Sequence, residues 1–155
     1  MNRTTFTLLM CASLAATAAE GEREGDYWYV QTSAHTLHWN PDPEHNNRQR
    51  LIGIERVYTD GLLWGGATFK NSFNQRSHYA YLGKVWENAR YPLYAKLSAG
   101  LVHGYRGEYA DRIPLNGLGV APVIIPSIGA HWGPVGAEFV VLGTAAAMVN
   151  VGLRF

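Results

Sequence analysis

The last ten residues read Ala146-Ala147-Met148-Val149-Asn150-Val151-Gly152-Leu153-Arg154-Phe155, and they decide how the rest of the chain is read. Successive side chains of a strand point to opposite faces. Val149, Val151, Leu153 and Phe155 therefore share one face, and Met148, Asn150, Gly152 and Arg154 share the other. One face is wholly apolar and the other mixed. A strand with one apolar face suits the wall of a barrel whose outside meets lipid, and a closing Phe fits the terminal assembly signal of outer-membrane barrels. The rival reading is an amphipathic strand of a soluble sandwich.

Upstream, the same period of two recurs. Leu93, Ala95, Leu97, Ala99 and Leu101 oppose Tyr94, Lys96, Ser98 and Gly100; Val135, Ala137, Phe139 and Val141 oppose Gly136, Glu138, Val140 and Leu142. Turn residues separate the runs, as in Thr59-Asp60-Gly61, Gly133-Pro134 and Gly143-Thr144. The pattern predicts strands over 27–39, 50–58, 62–73, 77–87, 93–104, 118–132, 135–143 and 146–155, and no helix. The expected fold is all-β, an eight-stranded antiparallel transmembrane β-barrel.

Composition agrees with that reading. Charged residues are only 16% of the 155, below the usual quarter, and apolar residues 47%. Mean hydropathy is nevertheless −0.13, because lipid-facing and lumen-facing residues would alternate. With 13 Lys+Arg against 12 Asp+Glu, the chain lacks the basic excess of a protein that lives on nucleic-acid phosphate.

Residues 1–19 read as a signal peptide that is removed: Arg3, the apolar stretch Phe6–Leu14, then Ala16-Thr17-Ala18 as a small-residue cleavage site. That segment holds the one cysteine, Cys11, so the mature chain has no disulfide. Residues 20–26 would be a short periplasmic segment and 27–155 the barrel.

With the amino terminus periplasmic, odd-numbered strands rise and even-numbered strands descend. Lys84, Lys96, Glu138 and Arg154 would then pair as a charged floor low in the lumen, since isolated buried charge is too costly. Ala80, Leu82, Gly100, Val102, Val140, Leu142 and Met148 would line an apolar upper half. Such a pocket suits one hydrocarbon chain.

Three polar groups fall at the outer rim: Ala34-His35-Thr36-Leu37-His38-Trp39, Phe69-Lys70-Asn71-Ser72-Phe73-Asn74, and the loop from His103 to Arg112. Histidine can act as a general base near neutral pH. Serine can be a nucleophile or a donor to developing negative charge. The spacing His35-x-x-His38 puts the two imidazoles on opposite faces of a strand, and no carboxylate cluster accompanies them, so no metal is expected. Arg48, Arg50, Arg76, Arg106 and Arg112 lie in or near outer loops, as solvated loop charge or as binders of lipopolysaccharide phosphate.

Leu37-His38, Trp64-Gly65-Gly66, Phe69-Lys70-Asn71-Ser72-Phe73-Asn74, Ile113-Pro114-Leu115, Pro122-Val123-Ile124-Ile125-Pro126 and Gly133-Pro134-Val135, in that order, resemble the outer-membrane lipid A palmitoyltransferases, the PagP family. The resemblance spans about residues 29–155. It implies a monomeric acyltransferase of the bacterial outer membrane that moves a palmitoyl chain from a phospholipid donor to lipid A, with no cofactor. His38 matches the family's catalytic His, with His35 as the alternative. Ser72 matches its Ser. Asn71 stands where the family has Asp, so it would orient the His without adding charge; Asp111 is an alternative source of a carboxylate. The base of the family's acyl pocket falls at Gly83 or at Val85. Its prolines interrupt strand pairing and can admit lipid sideways. A lipid A deacylase or phospholipase barrel, and a non-enzymatic lipid-binding barrel, are the other readings.

Overall fold

The computed structural model describes residues 25–155. The expected signal peptide, residues 1–19, and most of the expected 20–26 periplasmic segment lie outside the described residues. From Tyr27 onward the chain forms β1 (Tyr27–His38), β2 (Ile52–Val57), β3 (Leu62–Lys70), β4 (Arg76–Glu87), β5 (Leu93–His103), a short 3₁₀ helix (Gly107–Arg112), β6 (Val120–Trp132), β7 (Val135–Leu142) and β8 (Ala146–Arg154). Each strand pairs antiparallel with the next, and β8 closes on β1 through Tyr29↔Arg154 to His38↔Ala146. The expected eight strands are all present, with ends shifted by a few residues.

Polarity is inverted relative to a soluble barrel. The outward faces carry Ile52, Leu82, Leu101, Ile124 and Ile128, each more than half exposed, while Glu55, Lys96 and Glu138 are buried inside. An apolar exterior around a polar lumen is the arrangement that lipid demands. Trp28, Trp64, Trp86, Tyr91, Trp132 and Phe155 gather at the end that also holds the start of β1, the carboxyl-terminal residue and the tight connections at 58–61, 88–92 and 133–134. Aromatic rings of this kind settle at a membrane–water interface. The opposite end carries the long connections 39–51 and 104–119 and is called the loop end below.

Strand β4 shows the reverse of the expected facing. Ser77, Tyr79, Tyr81 and Val85 point inward and Ala80, Leu82 and Trp86 outward, with Lys84 on the outward side near the turn end. Either face of β4 could pass as apolar, but only the lumen satisfies the phenols. Tyr79 donates to Ser98 at 3.1 Å and Tyr81 to Glu55 at 2.8 Å. Room for Tyr81 comes from glycine. A Cβ on Gly65 would stand 2.8 Å from its Cζ, and one on Gly100 2.7 Å from its Cβ.

The charged floor exists with a different membership. Lys96 Nζ bridges Glu55 at 2.9 Å and Glu138 at 2.7 Å. Tyr94 donates to Glu138, Gln31 to Glu55, and Asn150 to Gln31. Glu55 replaces Lys84, and Arg154 instead pairs with Glu87 at the turn end, 2.9 Å away. Above the floor lies a cavity of about 80 Å³ walled by Leu51, Phe69, Val102, Ile125, Val140 and Met148. Ala80 and Leu82 do not line it. With two phenols turned inward it is much smaller than the roughly 300 Å³ at the low end of ligand pockets. Gly83 pairs with Ser98 at the cavity floor, whereas Val85 pairs with Lys96 and borders a small void beneath the network.

Two ladders stop short of the loop end. The β1–β2 ladder ends at Thr32↔Ile52 and the β6–β7 ladder at Ser127↔Val140. Beyond the second point β6 runs through Pro126 and Pro122, which lack the N–H that continued pairing would use.

Candidate functional site at the loop end

His38 ends β1, and a β-bulge decides which way it faces. Tyr29 and Gln31 point inward, and strict alternation would put Ser33 and then His35 beside them. The register shifts between Ser33 and His35, so Ala34 is an extra residue and the parity reverses. Thr36 and His38 thereby turn toward the lumen and His35 lies exposed outside. Of the two histidines the sequence left open, His38 is the one brought to the other rim groups.

The 39–51 connection is folded by its own side chains and then sewn to β3. Asp42 Oδ1 accepts the Glu44 N–H at 2.9 Å and Asn46 Oδ1 the Arg48 N–H at 2.9 Å, both tight Asx turns. Asn46 N–H donates to the Ser72 carbonyl at 2.7 Å, and Lys70 N–H to that of Gln49 at 2.7 Å. Ser72 sits in a turn organised by Asn71, whose buried Oδ1 accepts the N–H groups of Phe73 and Gln75. Asn74 takes a φ of 61° there, a conformation that asparagine tolerates.

These constraints place Ser72 Oγ 2.9 Å from His38 Nε2, while Asn47 Oδ1 lies 2.8 Å from His38 Nδ1. An amide oxygen only accepts, so Nδ1 carries the proton and Nε2 is left to accept from the serine hydroxyl. That is the tautomer a general base needs. Both ring nitrogens are then occupied. Asn71 holds the turn, donating to Ser77 at 3.2 Å, and Asp111 lies exposed in the 3₁₀ helix. Neither orients His38. The residue that does, Asn47, was not distinguishable among the polar residues of its loop.

Aromatic packing roofs the pair. His45 lies over His38 with centroids 4.6 Å apart, Phe73 meets His45 edge-on, and Tyr109 stacks on Phe73 at 4.2 Å. Arg106 and Gln75 exchange two hydrogen bonds that fix the 3₁₀-helix loop to the Ser72 turn. Burial raises the Tyr105 hydroxyl above its ordinary range, so it stays neutral beside this stack. His103 bonds the Gly119 carbonyl at 2.7 Å and belongs to the loop framework.

Fold and site together define an eight-stranded barrel of outer-membrane type with a hydrogen-bonded Ser–His–Asn series at its loop end. The chain matches no family model and no curated protein. Among solved structures it resembles a de novo designed transmembrane β-barrel, with 10% identity, a TM-score of 0.51, and coverage of 88% of this chain and 99% of that one. It is also similar to the N-terminal β-barrel domain of Pseudomonas aeruginosa OprF at 12% identity and a TM-score of 0.44, covering 85% of this chain and 98% of that one. The first of these likenesses supports the fold alone.

Proposed function

We propose that this protein is an acyltransferase of the bacterial outer membrane that moves an acyl chain, palmitoyl by the family resemblance, from a phospholipid to lipid A. The observation that carries the reading is the position of His38 between Asn47 and Ser72. Ser72 gives its proton to His38 Nε2 as its oxygen attacks the donor ester carbonyl. The protonated imidazole returns that proton to the departing glycerol oxygen, leaving an acyl-serine. His38 then takes the proton of a lipid A hydroxyl as that oxygen attacks the acyl-serine, and returns it to Ser72 Oγ as the acyl–serine bond breaks. The incomplete β1–β2 and β6–β7 ladders at the loop end supply two lateral passages for lipids.

Lipid A mass spectrometry of cells with and without the gene, and with His38→Ala, tests the proposal. A palmitoyl mass gain present only with the intact gene supports it, and its absence from every strain refutes the transfer. The 80 Å³ cavity favours a second reading, a lipid esterase in which water replaces the acceptor and the chain need not enter the lumen. That reading gives loss of acyl mass or free fatty acid instead. Lipids unchanged by His38→Ala and Ser72→Ala point to a non-enzymatic barrel.

A further inference from the structure

A groove of about 270 Å³ opens where the β1–β2 ladder stops, and its lining includes Ser33, His35, Asn47, Arg48 and Arg50. The bulge at Ala34 puts His35 there. Arg50 has a φ of 46°, in the left-handed region that a non-glycine residue holds only where its surroundings enforce it. The enforcing contacts flank it: Lys70 N–H on the Gln49 carbonyl, and Leu51 N–H donating to Ser33 Oγ at 3.1 Å.

Arg48 and Arg50 differ from Arg56 and Arg154 at the turn end. Arg56 pairs with Asp26 and Arg154 with Glu87, but among the described residues neither Arg48 nor Arg50 forms an ion pair. Two exposed guanidiniums without a carboxylate, beside an imidazole, form an anion site in want of an anion. Its height is set by Leu37 and Trp39, which follow His35 on the outward face and are both about half exposed. Tryptophan at that position marks the headgroup layer. A phosphomonoester carries about 1.5 to 2 negative charges near neutral pH, more than the single charge of a phosphodiester, and so fits a two-arginine groove better.

We infer that this groove binds the phosphomonoester of a lipid headgroup. Because Asn47 both lines the groove and holds His38, a lipid anchored there lies next to the Ser72–His38 pair. The assignment of that lipid as acyl acceptor rests on the acyltransfer reading; the binding itself does not.

The test measures binding to refolded protein in neutral micelles by titration calorimetry. The probes are phosphatidic acid, phosphatidylglycerol with the same chains, lipid A before and after phosphatase treatment, and inorganic phosphate. Phosphatidic acid and intact lipid A should bind roughly tenfold tighter than phosphatidylglycerol and dephosphorylated lipid A. The Arg48→Gln/Arg50→Gln variant should lose that preference and Arg76→Gln keep it. Arg50→Gly, which accepts the positive φ without strain, should weaken the preference in a barrel whose heat-modifiable migration is unchanged. A preference that survives in the double variant overturns the inference, as does one absent from the wild type. So does inorganic phosphate that binds as tightly as phosphatidic acid, since the site would then serve a free anion. Ser72→Ala should bind like wild type. Phosphomonoester binding without any transfer removes only the enzymatic reading, and transfer by a protein whose preference ignores both arginines removes only the groove.

Discussion

His38 Nε2 and Ser72 Oγ lie 2.9 Å apart although 34 residues separate them in the chain. Two independent constraints make the contact: the bulge that reverses β1, and the Asn71 turn that fixes Ser72. His38→Ala and Ser72→Ala should each lower acyl transfer by roughly 10²-fold or more, the usual scale for loss of a general base or its nucleophile. Barrel stability should be little affected, because both side chains are only half-buried at the rim. The check is product formation in vesicles alongside heat-modifiable gel migration. Activity retained by either variant would remove the pair from the chemistry.

Asn47 and Asn71 should separate by kinetics and stability. Asn47→Ala should lower kcat roughly tenfold or more with KM little changed, yet less than the roughly 10⁴-fold associated with a triad aspartate. Asn47→Asp keeps the acceptor and should restore the rate. Asn71→Ala should instead unfasten the turn, because two N–H groups lose their acceptor. Its loss should appear as faster proteolysis of the 71–75 turn, and Asn71→Asp, which retains both acceptances, should protect it. If Asn47→Ala matched wild type in kcat, Asn47 would have no positioning role.

Strand number, and most facings, follow from alternation, because one-sided lipid contact writes itself into every second residue. β8 and β5 read correctly since their outward faces are uniformly apolar. β4 did not, because Tyr79 and Tyr81 are as bulky and apolar as Leu82 until their hydroxyls are given partners on other strands. Glu55 was legible in principle: Leu51, Gly53, Glu55 and Val57 oppose Ile52 and Ile54, and a carboxylate among them must face the lumen. The Ala34 bulge and the Asn47 contact were not, since both depend on register and loop pairing that no local pattern encodes.

The lumen network predicts a strong asymmetry among its members. Lys96→Met leaves Glu55 and Glu138 buried without their cation and should cost about 3–5 kcal/mol in urea unfolding from lipid vesicles. Glu138→Gln should cost less, because Lys96 keeps Glu55 and the amide still accepts from Tyr94. Adding Glu55→Gln and Glu138→Gln to Lys96→Met should recover much of the loss, as no charge remains to be compensated. A Lys96→Met barrel as stable as wild type would mean that the floor carries no folding energy.

Where the acyl chain goes can be tested by opposite changes in lumen volume. Met148 and Val102 wall the 80 Å³ cavity, and Tyr79 projects into it from β4. If a long chain enters from the loop end, Met148→Trp should abolish turnover of long-chain donors while short-chain esters, which need little room, are still cleaved at Ser72. Tyr79→Ala removes a ring and should raise long-chain turnover, at some expense in stability from the vacated volume and the lost Ser98 bond. Rates for paired long- and short-chain esters measure both effects within one preparation, so a general folding defect lowers the two together. Equal changes for both chain lengths would place the chain outside the barrel, along one of the lateral gaps, and leave the lumen as packing alone.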